Sequence, residues 1–299
     1  MTIYFPSYYK EFRCIADKCK HSCCIGWEIG VDKSTLDKYS SMSGELGECV
    51  RSCVSFDSTL INMCEDGRCP FLSESGLCRI ISAVGEDYVS EICREHPRFY
   101  HNANGRAEGG IGAVCEEACR IILSSDGFCD TVRIEGDDIP VDTDFDSLKH
   151  RDELYSILCD GRFTYFEKLD KIREKYDLPD IYSDVDSANS LFSELEYLDE
   201  DNASRLSVGG RVKSESVQKV LIRYLAYLIY RHVSLSVGYV NMRARICFCL
   251  LLLAVVENGA AHGASFEEIC EFVRAVSEEI EYSEDNTDSL IFEFESSLI

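Results

Sequence analysis

Positive charge is what this sequence has least of. Thirty lysines and arginines face 54 aspartates and glutamates, a formal net charge of −24. A field of that sign repels phosphate backbones and anionic lipid surfaces, so neither nucleic acid nor membrane is an expected partner. It suits a basic protein or peptide, although solubility alone accounts for it. A secretory leader is not expected either, since Met1-Thr2-Ile3-Tyr4-Phe5-Pro6 has no basic stretch followed by an apolar one. The longest apolar run extends only from Ile246 to Val256, short of the roughly 20 residues that cross a bilayer, and is expected to be a buried core helix. The expected location is cytoplasmic. No internal repeat is present. No glycine-rich loop sits between a strand and a helix, and Gly209-Gly210 has the look of a linker between helices.

What the sequence does have is cysteine, 17 in all, thirteen of them between Cys14 and Cys129. In a chain expected to stay in a reducing compartment, dense cysteine points to metal before disulfides. The first group is Cys14-x4-Cys19-x3-Cys23-Cys24, followed by Ile25-Gly26-Trp27. Adjacent side chains diverge, so Cys23 and Cys24 are expected to serve different centres, or one is spare. Next come Cys69-Pro70-Phe71-Leu72 with Cys78, then Cys93-Arg94-Glu95-His96-Pro97-Arg98, then Cys115-Glu116-Glu117-Ala118-Cys119. Soft thiolates select iron–sulfur clusters or zinc, and the paired C-x2-C of zinc ribbons is absent. An iron–sulfur cluster is therefore the expected cofactor, with zinc as the alternative. Arg94 and Arg98 would compensate the charge of an anionic cluster or bind a carboxylate. His96 is expected to be structural, with a ligand or acid–base role as the alternative. Cys49, Cys53, Cys64 and Cys129 are expected to be plain thiols, as are Cys159, Cys247, Cys249 and Cys270.

The expected fold is mainly α: a loop-rich, metal-nucleated cysteine module followed by a helical bundle. Residues 1–130 would form the module and 131–148 an acidic linker around Glu135-Gly136-Asp137-Asp138. Residues 149–299 would form the helical domain. Apolar residues recur at helical spacing from Leu154 to Ile172. Further helices are expected over about 187–199, 213–236, 241–258 and 265–281, with one more near the C-terminus. Ser265 and Glu268 make a capping box.

The run Tyr8-Tyr9-x2-Phe12-x-Cys14-x4-Cys19-x3-Cys23-Cys24-x-Gly26-Trp27-x-Ile29-x2-Asp32 resembles the start of the flagellin lysine-N-methylase family, part of a wider group of cysteine-cluster proteins thought to chelate zinc or iron. The blocks around Cys69 and Cys78, around Cys93 and around Cys115 resemble its later motifs. So do Tyr224-Leu225-x-Tyr227-x3-Tyr230-Arg231-His232 and Ser277-Glu278-Glu279-Ile280-Glu281-Tyr282-Ser283-Glu284-x-Asn286. Two positions depart from the family pattern, His96 where it has Tyr and Glu116 where it has Pro.

The resemblance implies metal ligation by Cys14, Cys19, Cys23, Cys24, Cys69, Cys78, Cys93 and Cys115. It also implies methyl transfer from S-adenosylmethionine to lysines of flagellin or a similar surface protein. That chemistry needs a neutral amine, and Glu278, Glu281, Tyr282 and Glu284 are the candidates to orient it and take its proton. The C-x3-C-x2-C spacing of radical enzymes that use the same donor is absent. The alternatives are a non-catalytic metal-binding or redox-sensing protein, and an interaction module whose acidic helices bind a basic partner.

Overall fold

A computed structural model describes residues 3–134 and 145–298. The chain clusters into two compact units: Arg13–Phe99, and Met1–Phe12 together with Tyr100–Ile299. The expected segments cut across them, since residues 100–130 belong with the helices. The core of the expected linker, Glu135–Asp144, lies outside the described residues. Helix accounts for 58% of the chain, so the fold is mainly α.

The Arg13–Phe99 unit has four short helices, Lys33–Ser41, Gly44–Cys53, Arg79–Val84 and Glu91–Glu95, and a hairpin pairing Val54–Ser55 with Leu60–Ile61. Its buried core is small and includes Ile29, Val31, Tyr39, Val50, Phe71 and Ile80. Polar devices therefore carry much of the local order. Asp32 caps the first helix by accepting from Thr35 N at 3.0 Å. Its other oxygen accepts from Glu91 N at 2.9 Å, which ties the start of the Cys93 helix to the same carboxylate. Partial burial pushes the Asp32 carboxyl up, but the bonds from Ser34, Glu91 and Thr35 outweigh it and leave the group well below the carboxylate range.

In the larger unit a four-stranded sheet runs in the order Arg98–Ala103, Arg106–Ile111, Ile3–Pro6, Thr131–Ile134. Ile3 pairs parallel with Ala107 and antiparallel with Ile134. Around it lie the helices Glu116–Ser124, Ser147–Cys159, Tyr165–Tyr176, Glu215–His232, Tyr239–Ala260, Phe266–Val276 and Glu284–Leu298, with shorter turns between Ile181 and Ala203. The apolar run from Ile246 to Val256 lies inside the 22-residue helix Tyr239–Ala260. That helix passes a length and composition test for a membrane span, yet 72% of its apolar window is buried inside the protein, so it packs as a core helix. It lies against Glu215–His232, Phe266–Val276 and Glu284–Leu298. Glu257, near its end, is fully buried but saturated: Tyr165, Tyr182, Arg211 and the Val212 N–H all donate to it.

Sheet and helices are joined by a buried ion pair. Glu108, on the strand beside Ile3–Pro6, accepts from Arg151 Nη1 at 2.8 and 2.7 Å, and Arg106 and His101 also reach it. Burial raises the Glu108 carboxyl; the His101 bond, Arg151 and Arg106 outweigh that and hold it at about 2. Its stabilising contribution is thus present above the unfolded carboxylate value of about 4.5 and is lost as pH falls towards 2. Arg151→Met leaves Glu108 buried with fewer donors. It should cost about 3 kcal/mol, the low end for a broken buried pair because Arg106 remains. Denaturant unfolding checks this, and a loss below about 1 kcal/mol would reject the pair as the joint between sheet and helices.

Candidate functional site

Two sites stand out, one in each unit. In the Arg13–Phe99 unit the fold gathers four thiols from four segments. Cys69 N donates to the Cys24 carbonyl at 2.8 Å and Gly26 N to Gly67 O at 2.9 Å, which zips the first cysteine motif onto the second. Leu72 bridges to Cys78, and Arg79 N donates to Phe71 O. The Asp32–Glu91 bond sets the helix that carries Cys93. Cys69 is then within electrostatic reach of Cys24, Cys93 and Cys78, and Cys93 of Cys24 and Cys78. Desolvation pushes the Cys69 thiol up to about 12 and raises Cys78 and Cys93 as well. Cys24 goes the other way, to about 6, because the Cys23 side chain bonds to it. Tyr39, 1% exposed, lies beside Cys93, Cys78 and Cys69; sequence reasoning missed it, and no motif signalled it.

Of the other expected ligands, Cys14 accepts from Ala16 N and Cys19 donates to the His21 carbonyl. Cys115 belongs to the larger unit, where it immediately precedes the helix Glu116–Ser124 and neighbours Cys119 and Tyr282. Arg94 pairs with Glu95 at 3.6 Å, and Arg98 donates to the Arg94 carbonyl. Burial lowers His96 to about 4, which keeps it neutral. Among the described residues no three His, Cys, Asp or Glu side chains stand at coordinating spacing. All 17 cysteines are unbridged thiols.

The second site is a buried carboxylate in the larger unit. On the helix Glu215–His232, Tyr224, Tyr227 and Arg231 recur at three and four residues and share one face. Against that face lies a π-helical turn, Ser277–Glu281, closed by the bond from Tyr282 N to Ser277 O at 3.0 Å. Such wide turns insert a residue and re-aim side chains, frequently at functional sites. Here the turn sends Glu281 inward. Its Oε2 accepts from the Tyr227 hydroxyl at 3.0 Å and stands 3.1 Å from His232 Nε2 and 3.5 Å from Arg231 Nε.

Hydrogen-bond accounting fixes the direction of that Tyr227 bond. The Tyr227 oxygen already accepts from Ala113 N at 3.0 Å and Arg231 Nη1 at 2.9 Å, so its own proton points to Glu281. Burial raises the Glu281 carboxyl, but Arg231 and the His232 bond outweigh it, leaving the group below its ordinary value and ionised at neutral pH. Burial lowers His232, so the imidazole is neutral, and against an ionised carboxylate its Nε2 must carry the hydrogen. The Tyr224 hydroxyl and Glu281 Oε1 are buried without a hydrogen-bond partner of ordinary geometry. Tyr224 and Tyr227 stack at 6.3 Å between centroids, and the Arg231 guanidinium lies 4.7 Å over the Tyr282 ring.

The late motif is thereby sorted by role. Glu281 and Tyr282 belong to this site. Glu278 instead pairs with Arg274 at 2.8 Å, and Glu284 is exposed at the start of the last helix. Glu279 and Asn286 are structural: they bind Leu198 N, Asn202 and both backbone groups of Glu196. Gly112 is the remaining constraint. A Cβ there would stand 2.1 Å from the Tyr282 hydroxyl and 2.9 Å from Arg231 Nη1. Gly112→Ala should displace both side chains and cost about 1–3 kcal/mol by overpacking. A melting temperature equal to that of the parent would show that the wall has room to spare.

No protein-family profile matches the chain, and no solved structure matches it. Three curated proteins do. A lysine-N-methylase of Salmonella typhimurium is 26% identical over 145 residues, covering 42% of this chain and 33% of that protein. The flagellar biosynthetic protein FliU of Salmonella muenchen is 26% identical over 145 residues, 42% of this chain and 78% of FliU. A lysine-N-methylase of Salmonella choleraesuis is 26% identical over 135 residues, again with 42% and 33% coverage. The chain is thus a distant relative of proteins named for lysine methylation and flagellar biosynthesis, and the match spans a third of the length of the two lysine-N-methylases.

Proposed function

We propose that this protein transfers methyl groups from S-adenosylmethionine to lysine ε-amines of a flagellar protein, flagellin foremost. The observation that carries the reading is the shared ancestry with proteins named lysine-N-methylase and FliU. The buried, ionised Glu281 supports it as a carboxylate able to accept an amine proton. In the reaction the lysine ammonium first gives up a proton. The nitrogen lone pair then attacks the sulfonium methyl carbon, and the methyl–sulfur bond breaks to leave S-adenosylhomocysteine. Glu281, aided by Tyr282 and the Tyr227 hydroxyl, orients the amine and takes its proton. Arg231 and His232 hold the carboxylate in place and keep it charged.

The reading includes a soft metal centre in the smaller unit. Its support is chemical: soft thiols on four segments, with Cys23 adjoining Cys24 and with Cys14 and Cys19 on the same unit, are the donors such a centre selects, while among the described residues no three of them stand at coordinating spacing. Cys24, Cys69, Cys78 and Cys93 would hold an iron–sulfur cluster or a zinc ion, and Arg94 and Arg98 would offset its charge. When bound, the centre would tie those four segments together, adding cross-links that a small apolar core does not supply.

Two measurements test this. Incubated with labelled donor and flagellin, the protein should label lysines, and Glu281→Gln should lower the rate about 100-fold or more while the fold is kept. Absence of labelling under reducing conditions with metal-replete protein would leave a non-catalytic metal-binding or redox-sensing protein as the better reading. Separately, Cys24→Ser, Cys69→Ser, Cys78→Ser and Cys93→Ser should each lower iron, sulfide or zinc content, whereas Cys247→Ser should not. Full metal content in all four would overturn the ligand set.

A further inference from the structure

The buried Glu257, on the helix Tyr239–Ala260, is enclosed by aromatic rings and by one arginine. Its Oε2 accepts from the Tyr182 hydroxyl at 2.6 Å and from the Tyr165 hydroxyl at 3.3 Å. Its Oε1 accepts from Val212 N at 3.0 Å and from Arg211 Nε at 3.3 Å. The Arg211 guanidinium lies over two rings, 4.0 Å from the centre of Tyr182 and 4.5 Å from that of Phe166, within the range of cation–π attraction. Phe166 packs edge-on to Tyr165, with centroids 5.0 Å apart. A cation thus rests against two aromatic faces while it donates to a buried carboxylate. Aromatic cages that bind alkylated ammonium groups are built in this way.

The resident cation is exchangeable. Arg211 lies in the stretch 206–214, which has neither helix nor strand, and its side chain is 37% exposed. Among the described residues its guanidinium makes one hydrogen bond, the 3.3 Å contact with Glu257. The neighbouring backbone is fixed independently: Gly210 N donates to Asn258 Oδ1 at 2.6 Å, and Val212 N stays on Glu257. Only the side chain has to swing out, and Glu257 then keeps its two tyrosine donors and the Val212 N–H. Phe166 and Tyr182 are both partly exposed, so the walls can be reached from solvent. A cavity of about 40 Å³, lined by Tyr182, Arg211, Glu257, Leu250 and Leu253 among others, adds to the space that the guanidinium would vacate.

We propose that Phe166, Tyr182 and Glu257 form a binding site for an N-methylated lysine side chain of a protein segment, which Arg211 occupies as an internal plug when no ligand is present. A mono- or dimethylammonium keeps an N–H to donate to Glu257 Oε1 and turns its methyl groups to the Phe166 and Tyr182 rings. An unmethylated ammonium is more strongly hydrated and gains less from aromatic walls. A trimethylammonium has no N–H for the carboxylate. The cage therefore selects the partly methylated states. The net charge of −24 favours the approach of any cationic segment, whatever its methylation, so the selectivity belongs to the cage alone. The cage shares no residue with the Glu281 site, and the proposal does not rest on the methyl-transfer reading.

The test is fluorescence anisotropy with four labelled peptides, identical except that their one lysine is unmethylated, mono-, di- or trimethylated, each titrated with the full chain. The mono- and dimethyl peptides should bind about threefold or more tighter than the other two, as the gain of a cation–π contact allows. Arg211→Ala removes the plug and should tighten their binding about fivefold, because a competing occupant lowers the fraction of binding-competent protein. Arg211→Gln, which keeps the stem without the cation, takes its place if the alanine variant does not fold. Adding Phe166→Ala to either variant should abolish the advantage of the methylated peptides over the unmethylated one. Absence of binding to the unplugged variant, equal affinity for all four peptides, or a preference that Phe166→Ala leaves intact would each overturn the proposal. A preference for the unmethylated peptide would do so too, since it would make the cage a general cation site.

Discussion

A carboxylate with no water around it must be matched from inside the protein, and Glu281 imposes that requirement on the larger unit. Its donors come from one face of the helix Glu215–His232, and the Tyr227 hydroxyl among them is oriented by Ala113 N–H, just beyond the strand Arg106–Ile111. Strand exit, helix and π turn therefore have to meet at one point. An α-helical continuation past Val276 would not provide the i to i+5 closure at Tyr282 that re-aims the chain, so the irregular turn is a condition of the site. Gly112 follows from the same demand, because Tyr282 and Arg231 occupy the space a side chain would fill.

The smaller unit answers a different shortage. Its apolar core is small, and Asp32 adds a polar staple to it, joining the first helix to the Cys93 helix. The thiols then collect where Asp32, Tyr39 and the zipped cysteine motifs converge. Burial favours their neutral form, and Cys24 is the exception because Cys23 donates to it. Spacing in the sequence says that these cysteines belong together. Which backbone bonds bring them together is a tertiary fact.

Legibility in the sequence followed the range of the interaction. The Ser265–Glu268 capping box lies within one helical turn and was readable; it is present with both bonds formed. The helix around Ile246–Val256 was readable from apolar content together with its extent: expected over about 241–258, it runs from Tyr239 to Ala260. The periodic stretch from Leu154 to Ile172 is two helices, broken where Thr164 caps the second. The four-stranded sheet left no trace. Its strands are short, and Ile3–Pro6 finds its partners about a hundred residues away, so no local alternation marks them. At the site, Glu281 and Tyr282 were visible through a motif, whereas the partners that hold Glu281 ionised are fixed only by packing. Glu278, from the same motif, belongs to a largely buried pair with Arg274.

Charge at two length scales bears on how a lysine substrate would be selected. The net charge of −24 draws cationic surfaces in from a distance, but at ordinary ionic strength that pull fades within about 8–10 Å. At Glu281 itself the carboxylate is already matched by Arg231, so the site carries little net field to hold an ammonium. Under the proposed reading, recognition there would rest on directional groups, chiefly the Tyr224 hydroxyl and Glu281 Oε1, the latter with the Ser277 hydroxyl beside the carboxylate but no bond of ordinary geometry. A buried acceptor whose hydrogen bond is poorly formed gains from a better-placed ligand N–H. Under the proposed reading, therefore, the acidic surface would govern how fast a basic segment arrives, and this small set of buried oxygens would govern which amine stays.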